Sequence, residues 1–556
     1  MSRELETINA AFTAYQRGDL PRARALLGSV SHPQASHLLG LVERKAGNLA
    51  AVSEHLQRAA ERDPRNHEVA NNQGRVALDA GQGERAEAYF RRALGLRPGW
   101  EAATEGLARS LNEQKRWHEA LQIWQSLLKQ GAQRVPILYG LAMAELETGA
   151  VEAASQRYDK LIAQGVQDPA VWFMRGRARL ELTEIEGGLS DLQTAWRLQP
   201  STHVLRNLAN TLWMLGELDA FDALLSELPD ELAVLGVVIR HEAGQTDAAL
   251  TAWQALPEAV RTGAMAQSVR SRIAKDLGDA AAASEYAEFA LRQDRENVTV
   301  QDAAICARLM QGDAKAALDL LTPLRQGDPH NQHWLAHQTT AHRLLGDGQY
   351  EHLVQLDKHV RTFELAVPSG YQSLAEFNQA LAAAIKPVRG FTAHPLDQSF
   401  VFGAQTSRDL VSVQDPVIQA YIQALDDPIR AYLAEIGSAA DHPLTARNTG
   451  KYRFNGCWSV ELQGGGRHVN HVHPQGWISS AYYISVPEPT EQSSEKAGWI
   501  KFGELPFTTR PDLSALKWVQ PKAGMLVLFP SYLWHGTEPT APGTHRITAP
   551  FDLVPA

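Results

Sequence analysis

The sequence predicts a multidomain protein, in which an all-α array of repeated helix pairs precedes an α+β domain with a β core. Small and aromatic residues recur every 34 positions over the first two-thirds of the chain. In the last third, short β-branched and aromatic runs alternate with Gly and Pro clusters. A period of about 34 residues is typical of one helix pair, and short runs between turn residues are typical of antiparallel strands. We place the array at residues 1–365, a helical linker at 366–395 and the β-rich domain at 396–556.

The composition limits the class of partner and the compartment. The 556 residues carry a formal charge of -10, which argues against a general nucleic-acid or anionic-membrane binder and favours small molecules or proteins as partners. The two cysteines, Cys306 and Cys457, form no disulfide framework and are typical of a reducing compartment. Neither a secretory leader nor an apolar run long enough to span a membrane is visible. We therefore expect a cytoplasmic protein.

Three ladders of residues keep the same period through the first half of the chain. The first two ladders consist of small residues and the third is mostly aromatic. The first ladder is Gly40, Gly74, Ala108, Ala142 and Gly176, the second is Ala86, Ala120, Ala154 and Gly188, and the third is Phe90, Trp124, Tyr158 and Leu192. A small residue lets two helices approach closely, and the large residue four positions after the second ladder fills the groove between them. Prolines at 64, 98 and 200 stand where the second helix of a pair should end.

Helix pairs with this pattern resemble tetratricopeptide repeats over roughly residues 5–350, with about nine or ten pairs. Stacked pairs of this kind coil into a superhelix whose concave surface holds an extended peptide or a partner's helix. The resemblance therefore implies a peptide or protein partner. An array that only scaffolds or dimerises, without a bound peptide, is the alternative.

After the boundary the sequence favours short strands with two helices. We expect helices at 374–385 and 417–436, where apolar residues recur at helical spacing. Strands are expected at 458–462, 477–486, 499–502, 525–529 and 547–553, with a strand broken by the glycines at 464–466. Strands this short and regularly spaced indicate an antiparallel sandwich or jelly roll.

The strand-rich domain carries a candidate metal site. His471 and His473 stand two residues apart, so an extended strand would point both imidazoles to the same face. His535, from a distant segment, would complete a group of three. Imidazole suits iron, zinc, copper or nickel, and three protein ligands leave coordination positions open for water, substrate or dioxygen.

The same domain resembles the double-stranded β-helix of 2-oxoglutarate- and Fe(II)-dependent oxygenases related to prolyl hydroxylases, over about residues 395–556. The resemblance is carried by His471-x-His473-Pro474, Ser480-Ala481-Tyr482-Tyr483, the segment 524–531, His535, Arg546-x-Thr548 and Gly403-Ala404-Gln405-Thr406. It implies Fe(II) and 2-oxoglutarate as cofactors, dioxygen as co-substrate and a hydroxylated C–H bond as product.

The resemblance also implies an anchor for 2-oxoglutarate. Arg546 follows His535 by eleven residues, the superfamily's spacing between the distal metal ligand and the arginine that pairs with the co-substrate carboxylate. A planar guanidinium suits such a bidentate pair better than lysine. Thr548 would add a hydroxyl to the same carboxylate, and Tyr482 or Tyr483 would donate another hydrogen bond.

The ligand set departs from the family pattern at one position. By the resemblance His471 is the first ligand and His535 the distal one, but His473 stands where a carboxylate is usual. Three neutral ligands leave iron with one more positive charge, which alters its redox potential. The alternative is that Glu504 completes the site and His473 lies behind it. We favour three histidines, because the two-residue spacing is built into a strand.

The leading hypothesis is an oxygenase that hydroxylates a peptide or protein recruited by the repeat array. The rival hypotheses are a non-catalytic repeat scaffold with a degenerate oxygenase domain and an oxygenase acting on a small metabolite. We interpret His468 and His545 as surface or hydrogen-bonded core residues, because neither has a motif around it. The sequence leaves open the substrate, the target atom and the oligomeric state.

Overall fold

The structure is a computed structural model that describes residues 3–388, 395–396, 399–406, 408–488, 490 and 495–556. The chain divides into two compact units, Met1–Ala195 and Trp196–Ala556. The predicted domain boundaries stay a prediction, and residues 389–394 of the predicted linker lie outside the described part. None of the helices formed by the described residues has the length and apolar character needed to cross a membrane. The cytoplasmic location also stays a prediction.

The first unit is built from antiparallel helix pairs. Its helices are α1 Arg3–Gln16, α2 Leu20–Leu27, α3 Pro33–Lys45, α4 Leu49–Arg62, α5 His67–Asp79, α6 Gly83–Leu96, α7 Glu101–Glu113, α8 Trp117–Lys129, α9 Val135–Glu147, α10 Val151–Ala163, α11 Pro169–Glu181 and α12 Ile185–Leu198, the last of which continues into the second unit.

The ladders of small and large residues explain the packing of these pairs. Phe90, Trp124 and Tyr158 are fully buried, at 0% exposure each. A Cβ atom placed on Gly74 would lie 2.8 Å from the Phe90 ring, and one placed on Gly140 would lie 2.4 Å from the Trp124 ring. Both glycines are therefore required for the rings to enter the groove.

The second unit begins with further helix pairs. They are α13 Thr202–Leu215, α14 Leu218–Ser226, α15 Asp230–Glu242, α16 Thr246–Ala255, α17 Glu258–Arg261, α18 Ala264–Asp276, α19 Ala280–Gln293, α20 Val298–Gln311, α21 Ala314–Gly327, α22 Gln332–Leu345, α23 Gly348–Leu353 and α24 Leu356–His359.

The remainder of the second unit is a β core flanked by three helices, which confirms the predicted fold class. The helices are α25 Leu374–Ile385, α26 Pro416–Ala424 and α27 Asp426–Ile436, and the strands are β1 Arg361–Glu364, β2 Phe400–Gln405, β3 Tyr452–Cys457, β4 Val460–His468, β5 Ile478–Ser485, β6 Ile500–Phe502, β7 Lys517–Val519, β8 Met525–Pro530, β9 His535–Thr537, β10 Arg546–Thr548 and β11 Phe551–Pro555.

The strands pair antiparallel in two sheets. Within the described residues the larger sheet has the order β1-β8-β5-β10-β4-β2, and β11 pairs with β5 and β3 beside it. The smaller sheet has the order β7-β6-β9. The Trp477, Ile478, Phe529 and Phe551 side chains are part of one apolar core on which α25, α26 and α27 also pack. This core fixes the strand ends that carry the site.

Three predicted elements differ in detail from the structure. The helix expected at 417–436 is two helices that meet at Leu425. The second helix begins at Asp426, and Pro428 lies in its first turn, where a residue without a backbone N–H is tolerated. The strand expected to break at the glycines runs through them as β4, with Gly465 at φ +81°. The expected last strand is split into β10 and β11 by Ala549 and Pro550.

One helix of the repeat region binds directly to the β core. On α22, the Gln332 amide donates to the Pro474 carbonyl at 3.0 Å, and Thr340 Oγ1 accepts from Trp534 Nε1 at 3.0 Å. Arg343, on the same helix, donates to the Gly503 carbonyl at 2.5 Å. The second unit is thus one body in which repeat helices and β core share an interface.

Candidate functional site

The three predicted histidines converge at one end of the β core. His471 lies in a short antiparallel bridge with His535, with N–H to O=C distances of 2.8 and 3.0 Å in the two directions. The His473 amide donates to the Ser531 carbonyl at 3.0 Å. The chain is therefore extended at His471 and His473, although neither residue belongs to a regular strand. This pairing brings the imidazoles of His471, His473 and His535 to the same place.

The ring nitrogens are arranged as metal ligands. The ligand atoms of the three histidines all lie within 4.8 Å of one another. His471 Nδ1 lies 2.8 Å from the Val469 carbonyl and His535 Nδ1 lies 2.8 Å from the Leu533 carbonyl. Because a carbonyl only accepts, both Nδ1 atoms carry the proton and both Nε2 atoms present a lone pair.

The rings are buried in a way that keeps them neutral. Burial lowers the pKa of His471 to about 3, and the nearby His473 adds to the shift. Burial likewise holds the pKa of His535 well below its usual range. Neutral imidazole is the form that binds a metal. His471 Nε2 also lies only 3.1 Å from His473 Nε2, a contact between ring nitrogens that a shared cation would relieve.

A carboxylate stands behind the third histidine. Asp552 Oδ2 lies 2.6 Å from His473 Nδ1, and Asp552 Oδ1 accepts from Ser479 Oγ at 2.7 Å. The His473 ring stacks on Trp458 at 6.0 Å between ring centroids. The ligand set has no negative charge of its own, but the Asp552 carboxylate thus places one within hydrogen-bond distance of the His473 ring. Sequence reasoning missed Asp552. The only available signal was a carboxylate in the last strand, and no motif marks that residue.

Replacing Asp552 by asparagine is expected to weaken metal binding about 10- to 100-fold, the usual cost of removing an outer hydrogen-bonding partner of a metal ligand. The amide retains a similar size but not the charge that makes His473 more basic. Anaerobic calorimetric titration with Fe(II) measures the effect. Asp512→Asn, at an exposed carboxylate of the same domain, is the matched control. Equal affinity in the two variants would contradict the role assigned to Asp552.

A buried arginine lies in the same cavity. Arg546 is 1% exposed and donates from Nη1 to the Gly498 carbonyl at 2.7 Å, while its Nε has no hydrogen-bond partner among the residues that the structure describes. In the described part of the chain it has no acidic partner. Burial lowers its pKa from the ordinary value. Since an unpaired buried cation is costly, this arrangement is the form expected of a site for an anion.

Of the residues predicted to act with Arg546, Thr548 and Tyr483 lie on the cavity face of their strands and Tyr482 lies on the opposite face. Thr548 shares its face two residues along β10, and Tyr483 lies with its ring 5.8 Å from the Arg546 guanidinium. Both line the cavity. Tyr482 was expected as an alternative hydrogen-bond donor to the co-substrate, and this expectation is corrected. Successive strand residues point to opposite faces, so Tyr482 points away from Tyr483. Its hydroxyl donates to Oδ1 of Asn378, on α25, at 2.6 Å.

Two other predictions about the site also change. Glu504 pairs with Lys501 at 2.8 Å and does not line the cavity, so the structure gives no support to it as a ligand. His468 does line the cavity: Ser399 Oγ lies 3.2 Å from its Nδ1 and 3.1 Å from His471 Nε2. The interpretation of His468 as a surface or hydrogen-bonded core residue agrees with its contact to Ser399, but it did not foresee that His468 lines the cavity. His545 is at the surface, with its side chain 63% exposed.

The cavity is formed by both parts of the second unit. It has a volume of about 890 Å³, within the range of small-ligand sites. The β core contributes the histidines, Arg546, Thr548 and Tyr483. The repeat helices contribute His241 and Glu242 from α15, and Arg272 and Asp276 from α18. The route to the histidines is therefore bordered by the repeat region.

Comparison with known proteins agrees with both predicted regions. Residues 456–552 match the family described as "Putative 2OG-Fe(II) oxygenase", and residues 37–100 and 111–180 match tetratricopeptide-repeat families. The chain thus carries an N-terminal tetratricopeptide-repeat region and a C-terminal domain of this oxygenase family, as the two resemblances predicted.

Individual relatives are distant. A stretch of 163 residues is 25% identical to Protein FlbA of Caulobacter vibrioides, covering 29% of this chain and only 27% of FlbA. The solved structure of PilF from Pseudomonas aeruginosa is 20% identical, covers 36% of this chain and 94% of its own, and gives a TM-score of 0.32. A tetratricopeptide repeat protein from Parabacteroides merdae is 13% identical, with 55% and 98% covered and a TM-score of 0.31. At these values the similarities carry no argument about function.

Proposed function

We propose that this chain is an Fe(II)- and 2-oxoglutarate-dependent oxygenase that hydroxylates a polypeptide presented by its repeat helices. One observation carries the proposal. Three imidazole Nε2 atoms converge beside a buried arginine without an acidic partner among the described residues, inside one cavity. A metal and an anionic co-substrate would resolve both features together.

The histidines fit the metal. His471, His473 and His535 would hold it by Nε2, because the opposite nitrogen of each ring faces a carbonyl or carboxylate oxygen. Such outer hydrogen bonds fix the ring orientation and raise ligand basicity. The Asp552 carboxylate, 2.6 Å from His473 Nδ1, would place a negative charge next to a ligand set that has no carboxylate of its own. A facial set of three ligands leaves the remaining positions open.

The arginine fits the co-substrate. The guanidinium of Arg546 would take the distal carboxylate of 2-oxoglutarate, and Thr548 Oγ1 and the Tyr483 hydroxyl are candidates to bond the same group. Burial strengthens a charge-assisted pair of this kind, since water does not compete for it. Arg546 and Thr548 are held in β10 between β4 and β5, so the anchor is rigid.

When bound, the metal and co-substrate supply the oxidation: a substrate C–H, dioxygen and 2-oxoglutarate give the C–OH product, succinate and carbon dioxide. The chain positions the reactants and excludes water from the cavity. Phe529 packs against the His535 ring at 4.5 Å between centroids and shields it on the core side. Helices α15 and α18 line the same cavity.

The repeat helices give the cavity mouth a charged character. His241 Nε2 lies 2.6 Å from Asp276 Oδ2. Burial opposes ionisation of Asp276, but this hydrogen bond and the neighbouring Lys275 lower its pKa to about 2. Arg272 has no ion-pair partner in the part of the chain that the structure describes. A peptide with an acidic side chain next to the reacting residue fits this arrangement.

Succinate release from 2-oxoglutarate tests the proposal. Purified full-length protein with iron and ascorbate is supplied with either the macromolecular or the small-molecule fraction of a cell extract. We expect the protein fraction to stimulate turnover, and we expect Arg272→Ala to raise the concentration needed for half-maximal stimulation about two- to fivefold, the effect of losing one ion pair of about 0.5–1 kcal/mol.

Arg292→Ala, an exposed arginine on α19 outside the cavity, is the matched control. Stimulation by the small-molecule fraction alone would identify a metabolite oxygenase instead. If neither fraction gives succinate and the protein binds no iron, the chain is a non-catalytic scaffold and the proposal is wrong.

A further inference from the structure

A second group of metal-binding side chains lies in the repeat region, apart from the site described above. Helix α20 carries Asp302 and Cys306, and helix α22 carries His333 and His337. Each pair is spaced four residues apart, so each pair projects from one helical face. The two helices pack against each other, and Asp302, His333 and His337 meet, with Cys306 next to His337 but outside this group.

The ligand atoms of Asp302, His333 and His337 are close enough to share one metal ion, although the His333 to Asp302 distance is that of a hydrogen bond. His333 Nε2 lies 2.7 Å from Asp302 Oδ1 and 3.2 Å from His337 Nε2, and His337 Nε2 lies 3.5 Å from Asp302 Oδ1. The Cys306 sulfur lies 3.9 Å from His337 Nε2. Nitrogen and oxygen ligands about 2.0–2.1 Å from a tetrahedral zinc ion are about 3.3 Å apart, and a sulfur ligand is somewhat further away.

Hydrogen bonding alone leaves this group unsatisfied. His333 Nε2 must donate to Asp302 at 2.7 Å, because a carboxylate only accepts. His337 is 1% exposed, and among the described residues its Nδ1 has no hydrogen-bond partner. If its proton is on Nε2, the bond to Asp302 is a poor one at 3.5 Å. If its proton is on Nδ1, the Nε2 lone pair faces the Asp302 carboxylate at that distance, a contact between two acceptors that a shared cation would relieve.

We propose that Asp302, His333 and His337 bind one Zn²⁺ ion. Two imidazoles and one carboxylate are ligands that suit zinc. On binding, any protonated imidazole releases its proton to solvent, and no electron is transferred. Three protein ligands leave the fourth tetrahedral position to water.

The location of the zinc site gives it a role in the second unit. Helix α22 is the repeat helix whose Thr340 accepts from Trp534 of the β core. The His337 ring lies 5.5 Å from the Trp534 ring, and Trp534 directly precedes His535. Zinc would therefore fasten α22 to α20 and hold the repeat helices in place at the edge of the oxygenase site.

Cobalt(II) is the probe, because cobalt held by nitrogen and oxygen ligands in a protein site has visible absorption bands. The background is the full chain carrying His471→Ala and His535→Ala, which removes the first site. We expect this protein to bind one equivalent of Co²⁺ with these bands, and Zn²⁺ to displace it. His337→Asn should abolish stoichiometric binding and the rise in Tm that Zn²⁺ causes, whereas Cys306→Ser should retain both.

His342→Ala, on the same helix but outside the group, is the control and should bind cobalt as the background does. A background protein that binds no cobalt, or whose cobalt spectrum survives His337→Asn, overturns the zinc site. Should His337→Asn fail to fold, Asp302→Asn provides the same comparison by loss of cobalt affinity. Failure here leaves the oxygenase proposal untouched, since the first site is absent from the assay.

Discussion

Replacing His535 by alanine is expected to abolish stoichiometric Fe(II) binding and with it succinate formation from 2-oxoglutarate. Loss of a partner behind a metal ligand costs about 10- to 100-fold in affinity, and loss of the ligand itself costs more. His535 is 5% exposed and bridges to His471 through its backbone, so the ligand disappears while the main-chain pairing remains. Anaerobic titration with Fe(II) and a succinate assay measure the two effects.

Folding has to be separated from ligation in this experiment. The His535 ring packs against Phe529, and alanine would leave a cavity beside it. His535→Gln keeps most of the volume and should show the same loss of iron with an unfolding temperature near that of the wild type. His545→Ala, at an exposed histidine, should bind iron normally. Iron binding that persists in both His535 variants would remove this residue from the ligand set.

Replacing Arg546 by methionine is expected to lower the affinity for 2-oxoglutarate roughly 100-fold or more, because hydrogen bonds to a charged group contribute about 1.5–3 kcal/mol each. The same change should raise the Tm of the protein without co-substrate, since it removes a buried cation that has no acidic partner among the described residues. In wild-type protein, added 2-oxoglutarate with a redox-inert metal should raise the Tm. In the variant that shift should vanish.

The matched control is Arg467→Met, at an exposed arginine of β4. Its response to 2-oxoglutarate should equal that of the wild type. A wild-type Tm that does not respond to the co-substrate, or an Arg546→Met protein that binds it with normal affinity, would show that this arginine is not the anchor. A destabilised Arg546→Met protein would instead indicate a structural role for the guanidinium.

Features that depend on short stretches of chain are predictable from the sequence. The 34-residue period reports which side of each helix is buried, and Phe90 and Trp124 pack as that period requires. The helix Leu374–Ile385 has the predicted bounds, because its start is capped by Ser373 and its apolar face is regular. The spacing of His471 and His473 likewise predicts that both imidazoles meet, since the backbone there is extended.

Features that depend on where distant segments of the chain pack are not predictable from the sequence. Asp552 reaches His473 across 79 residues because β11 pairs beside β5, and no motif marks the contact. The choice between Tyr482 and Tyr483 rests on which face of β5 meets the cavity, a one-residue difference that local propensity does not fix. The helix break at Leu425 arises where two apolar helices must turn onto one core.

The sequence by itself determined the two classes of domain and the residue types of the proposed metal site and anion anchor, because periodicity and motif spacing are local properties of the chain. Only the tertiary structure decided that Arg272 and Asp276 of the repeat region border the same cavity as His535. It also decided that Asp302 and His337 meet on neighbouring helices. These contacts depend on how helices and sheets pack together in space, and packing is a property of the whole folded unit.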